Sequence, residues 1–269
     1  MMVRVNADGP SGTGPEDPAN KPDLSLRDMR ILLTRPAAQA GPWRDALAAA
    51  GAHVIAFPTT TIGPPPSWEP LDRALANLAS YDWLLFSSAA AVELAVTRLA
   101  PSLDRAAIRP QVAAVGSETG RALEKHGFRV ALVPKAERQE GLVAAWANLA
   151  PGTRILFPRA VEGRDDVINA LTARGVKVDL AFASQTKQLP LSPPPPFDVS
   201  LFASPSALTS FVTQLGAGSL AAHPMVVIGP TTASAAHAAG LMPHVATSPS
   251  VTAVIQAIAA LDFPSPPVP

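Results

Sequence analysis

Arg30-Ile31-Leu32-Leu33-Thr34-Arg35 has a counterpart in Arg154-Ile155-Leu156-Phe157-Pro158-Arg159, and this repetition decides the fold. After each hexapeptide a leucine and a glycine follow at matching distances, Leu47 and Gly51 or Leu171 and Gly175, and then Val54 or Val178. A short apolar strand, a helix stopping at glycine and a second apolar strand make a βαβ unit. The likeness runs on. Tyr81-Asp82-Trp83-Leu84-Leu85-Phe86-Ser87-Ser88 matches Phe197-Asp198-Val199-Ser200-Leu201-Phe202-Ala203-Ser204. Val112 to Gly116, followed by Ser117-Glu118-Thr119, matches Val226 to Gly229, followed by Pro230-Thr231-Thr232. Each copy then enters an alanine-rich helix ending at Gly127 or Gly240 and closes with a short strand and a last helix.

Self-similarity of this kind organises the whole chain. Two copies of a strand–helix alternation, with about four or five strands in each, predict parallel sheets covered by helices on both faces. This is the doubly wound α/β architecture. The near-continuous apolar runs Trp83–Phe86 and Val226–Ile228 suit strands buried on both faces. Between the second and third strand of each copy sits a proline cluster, Pro58 with Pro64–Pro66 and Pro190 with Pro193–Pro196. Successive prolines favour extended polyproline geometry and mark connectors. Thr59–Ile62 and Gln185–Leu189 lie in these stretches, and their extended character suits a small ladder between them. The repeat leaves two connectivities open: consecutive units, or a first unit that is interrupted by the second and then resumed. In either case two lobes on slim connectors are expected to hinge around a cleft.

Composition narrows the function. The chain has 269 residues, is 48% hydrophobic, and carries 21 basic and 21 acidic residues for a formal net charge of zero. No whole-molecule attraction to nucleic acid or to an anionic membrane follows from that balance. There is no cysteine, which excludes disulfides, thiolate metal ligands and thiol nucleophiles. The five histidines are scattered, with no spacing that would build a metal site. No apolar stretch is long enough to span a bilayer. Residues 1–29 read as a polar, disordered extension without a signal core, and 263–269 as a tail. A cytoplasmic address is the expectation.

Ligands of doubly wound sheets bind beyond the carboxyl ends of the strands. Four loops at such ends are made of hydroxylated residues and glycine: Ser87-Ser88, Gly116-Ser117-Glu118-Thr119, Ser204-Pro205-Ser206 and Gly229-Pro230-Thr231-Thr232. Taken singly, each is an ordinary helix cap. Four in matched positions point instead to a ligand with several anionic arms, held by first-turn N–H groups. Arg35 and Arg159 end the first strand of each copy and are candidates for the same cleft, whereas Lys135 and Arg138 read as surface charges. Asp82 and Asp198 are assigned a structural role at the start of strands. Neither GxGxxG nor GxxxxGK[ST] occurs. No Ser-His-Asp arrangement or carboxylate dyad is visible, which suits a reactive substrate that the protein chiefly holds in shape.

Taken in order, these motifs resemble the uroporphyrinogen-III synthase family from about Arg30 to Leu261. The markers are Thr34-Arg35-Pro36, Phe57–Ile62, Tyr81–Ser88, Ile228–Ala233 and Ala246–Ser250. The resemblance implies two flavodoxin-like lobes joined by a two-stranded linker. Residues 30–57 with 197–262 would form one lobe, 68–182 the other, and 58–67 and 183–196 the linker segments. It further implies a cofactor-free lyase of heme biosynthesis, monomeric, acting on hydroxymethylbilane, a linear tetrapyrrole with eight carboxylates. Loss of its hydroxyl gives an azafulvene; attack at the substituted carbon of the terminal ring gives a spiro intermediate that recloses with that ring inverted. The contact positions implied are Ser88, Thr119, Ser204, Ser206, Thr231 and Thr232, mainly through backbone amides. The partners implied are the bilane, its product uroporphyrinogen III and, transiently, the upstream hydroxymethylbilane synthase.

One departure from the family pattern bears on catalysis. The family's Tyr-x-Thr reads Ser184-Gln185-Thr186 here, so Ser184 stands where the phenol would assist hydroxide departure. No catalytic residue is therefore assigned. The competing reading is a non-catalytic two-lobed binder or sensor of a tetrapyrrole or another acidic small molecule. A periplasmic-type solute-binding protein and a flavoprotein fit less well, the first lacking a signal peptide and the second resting on fold analogy alone.

Overall fold

A computed structural model describes residues 25–261. The chain opens with β1 (Arg30–Leu33), α1 (Ala37–Ala49) and β2 (His53–Ala56), then a short β3 (Thr60–Gly63). Next come α2 (Glu69–Ala76), β4 (Trp83–Phe86), α3 (Ala89–Ala95), β5 (Gln111–Ala114), α4 (Ser117–Lys125), β6 (Val130–Leu132) and α5 (Gln139–Ala145). They are followed by β7 (Arg154–Ala160), α6 (Asp166–Thr172) and the long β8 (Lys177–Gln188). The chain ends with β9 (Val199–Phe202), α7 (Pro205–Leu215), α8 (Gly218–Ala221), β10 (Met225–Val227), α9 (Pro230–Ala238), β11 (His244–Val245) and α10 (Val251–Ala259).

These strands form a five-stranded sheet ordered β11-β10-β9-β1-β2 and a six-stranded sheet ordered β3-β8-β7-β4-β5-β6. Pairing is parallel throughout except where β3 meets the second half of β8, with Thr60 opposite Gln188 and Ile62 opposite Thr186. The chain thus begins in the first sheet, builds the second, and returns to complete the first.

Alternation along each strand explains why both faces are covered. Ile31 and Leu33 pack with Leu47, Val254 and Ile258 on one face, while Leu32 packs with Leu208 and Phe211 on the other. In the second sheet Leu84 and Phe86 face Val92 and Leu123, while Leu85 faces Leu142, Val167 and Leu171. The glycines that end matched helices, Gly51 and Gly175, have φ of +97° and +79°, a left-handed conformation that a side chain disfavours.

The repeat also fixes matched strand starts. Asp198 accepts the Arg30 N–H at 2.8 Å, and Asp82 accepts the Arg154 N–H at 2.9 Å. Both aspartates thereby tie the first residue of one strand to the start of its neighbour. The connectors are anchored as well. Thr59 donates its hydroxyl to the Ala207 carbonyl, and its own carbonyl accepts from the Ser210 hydroxyl, each at 2.9 Å. Gln214 reaches the Leu189 carbonyl, also at 2.9 Å.

The polar reading of the N-terminus needs one correction. Residues 1–24 and the tail 263–269 lie outside the described residues, but Leu26 is fully buried in the core beside Leu47 and gives its N–H to the Ala50 carbonyl. An averaged polar composition hides a single leucine that finds an apolar slot.

Candidate functional site

At the carboxyl ends of β1 and β4 the two sheets bring their loops around a cavity of about 670 Å³. That volume lies within the roughly 300–1,000 Å³ usual for small-molecule sites. From the first sheet it receives Arg35, Gln39 and Trp43; from the second, Ser87, Ser88, Glu118, Thr119 and Arg121; from β8, Ser184, Gln185 and Thr186. A smaller cavity of about 150 Å³ adjoins it, with Ser204, Ser206 and Thr60 in its wall. Arg35, Gln39, Ile62 and Thr186 line both, so Arg35 stands on the partition between two chambers of one cleft.

Arg35 is held rather than neutralised. Its guanidinium carbon lies 4.6 Å from the centre of the Trp43 ring, a cation–π contact that fixes its direction. Its Nε is buried without a hydrogen-bond partner. Burial pulls its pKa down, and the charge of Glu118 across the cavity opposes that shift. A half-buried cation with an unpaired Nε has the chemistry to accept an anion. The loop that turns it inward starts at Thr34, whose buried hydroxyl donates to the Leu201 carbonyl at 2.8 Å.

Arg159, the counterpart in the second copy, lies elsewhere. It is 4% exposed and lines neither cavity. Its Nη1 donates to the Arg164 carbonyl at 2.6 Å and its Nη2 pairs with Asp165. A Cβ on Gly163 would come within 2.7 Å of Nη1, so that glycine lets the loop close over the guanidinium. The arginine at this position is bound into its own loop and lines neither chamber.

The hydroxyl loops divide in the same way. Ser88 and Ser204 each cap their own helix, accepting the N–H of Ala91 and Ala207 at 3.2 Å, while both remain in a cavity wall. Ser87 and Thr119 also line the larger chamber. Gly116 and Ser117 do not line it: the Ser117 N–H and hydroxyl both donate to the Glu137 carboxylate, at 2.9 and 3.0 Å. These bonds hold the Glu137 carboxyl below the usual range, with the backbone N–H the largest cause. An internal carboxylate thus sits where an incoming anion would bind that helix start. Gly229, Thr231 and Thr232 line neither chamber, and Thr232 is buried. Ser184, although 1% exposed, forms part of the larger chamber's wall.

Sequence reasoning passes over Trp43 and Glu118. Trp43 is a buried residue of α1, and only the fold of the preceding loop puts it under Arg35. Glu118 lies inside a loop picked out for its hydroxyls and, as a first-turn acid, is accounted for by the helix dipole.

A depression of about 730 Å³ lies at the opposite, amino ends of β4 and β7, around Tyr81, Arg154 and Asp179. Its charged groups satisfy one another: the Tyr81 hydroxyl donates to Asp179 at 2.8 Å, and Arg154 pairs with Asp179 while stacking on the Tyr81 ring. The Tyr81 phenol is pushed up to about 12, by burial first and the Asp179 hydrogen bond second. Among the described residues no group of three or more His, Cys, Asp or Glu side chains could hold a metal ion, and no helix is long and apolar enough to cross a membrane.

Two sheets of parallel α/β type with a polar cavity at their carboxyl ends define an open-sheet α/β protein, a class whose ligands bind at that end. The chain belongs to the uroporphyrinogen-III synthase family, whose model, described as uroporphyrinogen-III synthase HemD, matches residues 42–256. A uroporphyrinogen-III synthase from Synechococcus elongatus is 41% identical over 150 residues, which are 55% of this chain and 57% of the relative. A uroporphyrinogen-III synthase from Chlorobaculum parvum is 32% identical over 117 residues, covering 42% and 46%. The chain therefore spans about half the length of the curated relatives it matches. Among solved structures, a uroporphyrinogen-III synthetase from Helicobacter pylori superposes with a TM-score of 0.59 at 18% identity, covering 88% of this chain and 100% of that one. A mutant uroporphyrinogen III synthase from Thermus thermophilus gives 0.54 at 17%, covering 86% and 97%. At that identity the likeness is one of fold: an α/β protein with parallel sheets and helices.

Proposed function

We propose that this chain acts as a uroporphyrinogen-III synthase, closing hydroxymethylbilane into uroporphyrinogen III with the terminal ring inverted and one water lost. The observation that carries the reading beyond family membership is Arg35: a stacked, unpaired cation on the partition of a cleft lined by helix starts and hydroxyls. An octacarboxylate needs several anion receptors spread over a wide site. Arg35, Arg121 and the helix starts at Ser88 and Ser204 supply them at both ends of the cleft. Thr119, Ser87 and Ser206 add hydroxyls between, and Ser184 and Thr186 wall the middle.

In this reading the protein holds the bilane bent so that the substituted carbon of the last ring meets the electrophilic methylene. Orientation is the main contribution, because the reaction proceeds spontaneously to the type I isomer when the bilane is free. The finer architecture belongs to the same reading: two flavodoxin-like lobes, 30–57 with 197–262 and 68–182, joined by a linker of 58–67 and 183–196. The strand orders support it. Numbering strands from the start of each repeat, both sheets run 2-1-3-4-5. The antiparallel pairing of β3 with the end of β8 supports the linker. A cytoplasmic address and a transient contact with the upstream hydroxymethylbilane synthase are also part of it, since an unstable intermediate gains from a short journey.

The second reading, a binder without catalysis, draws on Ser184 in the place of the family's tyrosine. A coupled assay separates the two. Fresh hydroxymethylbilane is supplied to the protein, the products are oxidised, and type I and type III isomers are resolved by chromatography. A predominance of type III is expected. Type I alone at the spontaneous rate, with tight binding of uroporphyrin, would leave the binder.

A further inference from the structure

We propose that the Glu118 carboxyl is the proton-handling group of the larger cavity: it protonates the hydroxyl leaving the bilane, and its carboxylate later takes up the proton released on ring closure. This rests on the synthase reading above. The balance is simple. The C–O bond breaks with its electron pair going to oxygen, which departs as water carrying the Glu118 proton. Attack by the substituted carbon of the terminal ring forms a spiro C–C bond without loss of a proton. The old bond from that carbon to its bridging methylene then breaks, and reclosure of that methylene on the ring's unsubstituted α-carbon releases the proton that returns to Glu118 as the pyrrole regains aromaticity. No oxidant, metal or cofactor is needed.

The assignment follows from what lines the cavity. Its charged groups are Arg35, Glu118 and Arg121, and its remaining polar side chains are serine, threonine and glutamine, apart from the Trp43 indole. Arginine does not give up its proton in proteins, and hydroxyls and amides are poor acids. Glu118 is thus the carboxyl present in the wall of either chamber. Tyr81, the single tyrosine of the chain, lies at the opposite ends of the strands, bound to Asp179. Ser184 leaves the wall of β8 without a phenol, and Glu118 reaches the same space from α4.

Glu118 is exposed in the first turn of α4 and faces two cations. Arg35 acts on it across the cavity, and Arg121 stands on its own helix. Glu137 is committed to Ser117. From the packed helix α3, Glu93 pairs with Lys125 and His126 at the far end of α4. An octacarboxylate entering the cleft would pair with Arg35 and Arg121, leaving Glu118 to the departing hydroxyl. Once the hydroxyl has left, the carboxylate faces a cationic azafulvene, whose charge it stabilises.

The test compares the wild-type chain with Glu118→Gln and Glu118→Asp. The kcat and KM for type III formation are measured across a pH series, with uroporphyrin III binding followed by tryptophan fluorescence and with thermal melting. Glu118→Gln is expected to lower kcat about 100-fold, within the range for loss of a general acid. It should also bind uroporphyrin at least as tightly as wild type, because a like charge is removed, and lose the decline of kcat at high pH. Glu118→Asp should recover part of the rate together with that decline. A Glu118→Gln variant with wild-type kcat and pH profile would overturn the proposal and assign the proton to a substrate carboxyl or water. A lowered melting temperature with an unchanged pH profile would also overturn it, in favour of a structural helix-start role. Wild-type protein that yields only type I would refute the synthase reading itself, a failure visible before any variant is compared.

Discussion

Arg35 and Arg159 occupy the same place in two copies of one repeat, yet one faces the cleft and the other braces a loop. Arg35 is half-buried and stacked on Trp43; its Nε, like that of Arg159, lacks a hydrogen-bond partner. Arg159 is 4% exposed and tied to the Arg164 carbonyl and the Asp165 carboxylate. The strands leading to them are alike, so the cause lies in the loops beyond the two arginines. After Arg35 the chain turns at Pro36 directly into α1, which swings the Trp43 ring under the guanidinium. After Arg159 it runs through Gly163 and Asp165 before α6 begins, and that longer loop folds back over the side chain. A duplicated motif therefore does not duplicate a site; the loop after the strand chooses between ligand and scaffold.

The strongest challenge to this contrast is Arg35→Ala. It should reduce kcat/KM for type III formation about 100-fold, the scale of losing a charge-assisted hydrogen bond of about 1.5–3 kcal/mol, with little change in melting temperature. A variant that melts early but binds uroporphyrin normally would break the contrast. Arg159→Ala should do the reverse, costing about 2 kcal/mol of stability while leaving affinity intact, because it empties the buried guanidinium site that ties down the loop through the Arg164 carbonyl and Asp165. Denaturant unfolding beside fluorescence titration reads both. Arg159→Lys should not rescue it, since one ammonium cannot span two acceptors set for a planar fork.

Trp43→Leu sharpens the Arg35 half. It keeps an apolar side chain but removes the cation–π contact of about 1 kcal/mol, so uroporphyrin affinity should fall about five-fold. A larger effect on melting than on affinity would mean that Trp43 serves the core of α1 more than the arginine.

The smallest effect concerns the other matched pair. Asp198 takes both the backbone N–H and the guanidinium of Arg30, whereas Asp82 takes only the backbone of Arg154, whose guanidinium goes to Asp179. The Arg30 hydrogen bond is the main reason the Asp198 carboxyl sits below its ordinary value of 3.8. A depressed carboxyl adds stability that is present above its unfolded pKa and is lost as pH falls through the folded one. Asp198→Asn should therefore flatten the acid side of the melting-temperature profile below about pH 4. An unchanged acid side would show that the Arg30 guanidinium adds nothing.

Much of the fold was legible because it is written in short-range periodicity. Apolar runs, helix-stopping glycines such as Gly51 and Gly175, and paired strand starts at Asp82 and Asp198 all recur within each copy. The site was legible only as a set of loops. Ser87, Ser88, Thr119, Ser204 and Ser206 lie along the cleft; Ser117 is already satisfied by Glu137, and Gly229 to Thr232 stand away from it. Glu137 lies far along the chain from Ser117, so no local pattern announces that contact. Leu26 was hidden for the opposite reason, one apolar residue within a polar run.

The sequence by itself determined the repeat, the alternation of strand and helix, and hence parallel sheets with loops at their carboxyl ends, because these depend on residues within one turn or one strand of each other. Only the tertiary structure decided that the chain leaves the first sheet and returns to it, that Arg35 rather than Arg159 faces the cleft, and that Glu118 joins it there. Those outcomes depend on side chains brought together from distant segments, where burial and unpaired charge, not periodicity, set which way a group points.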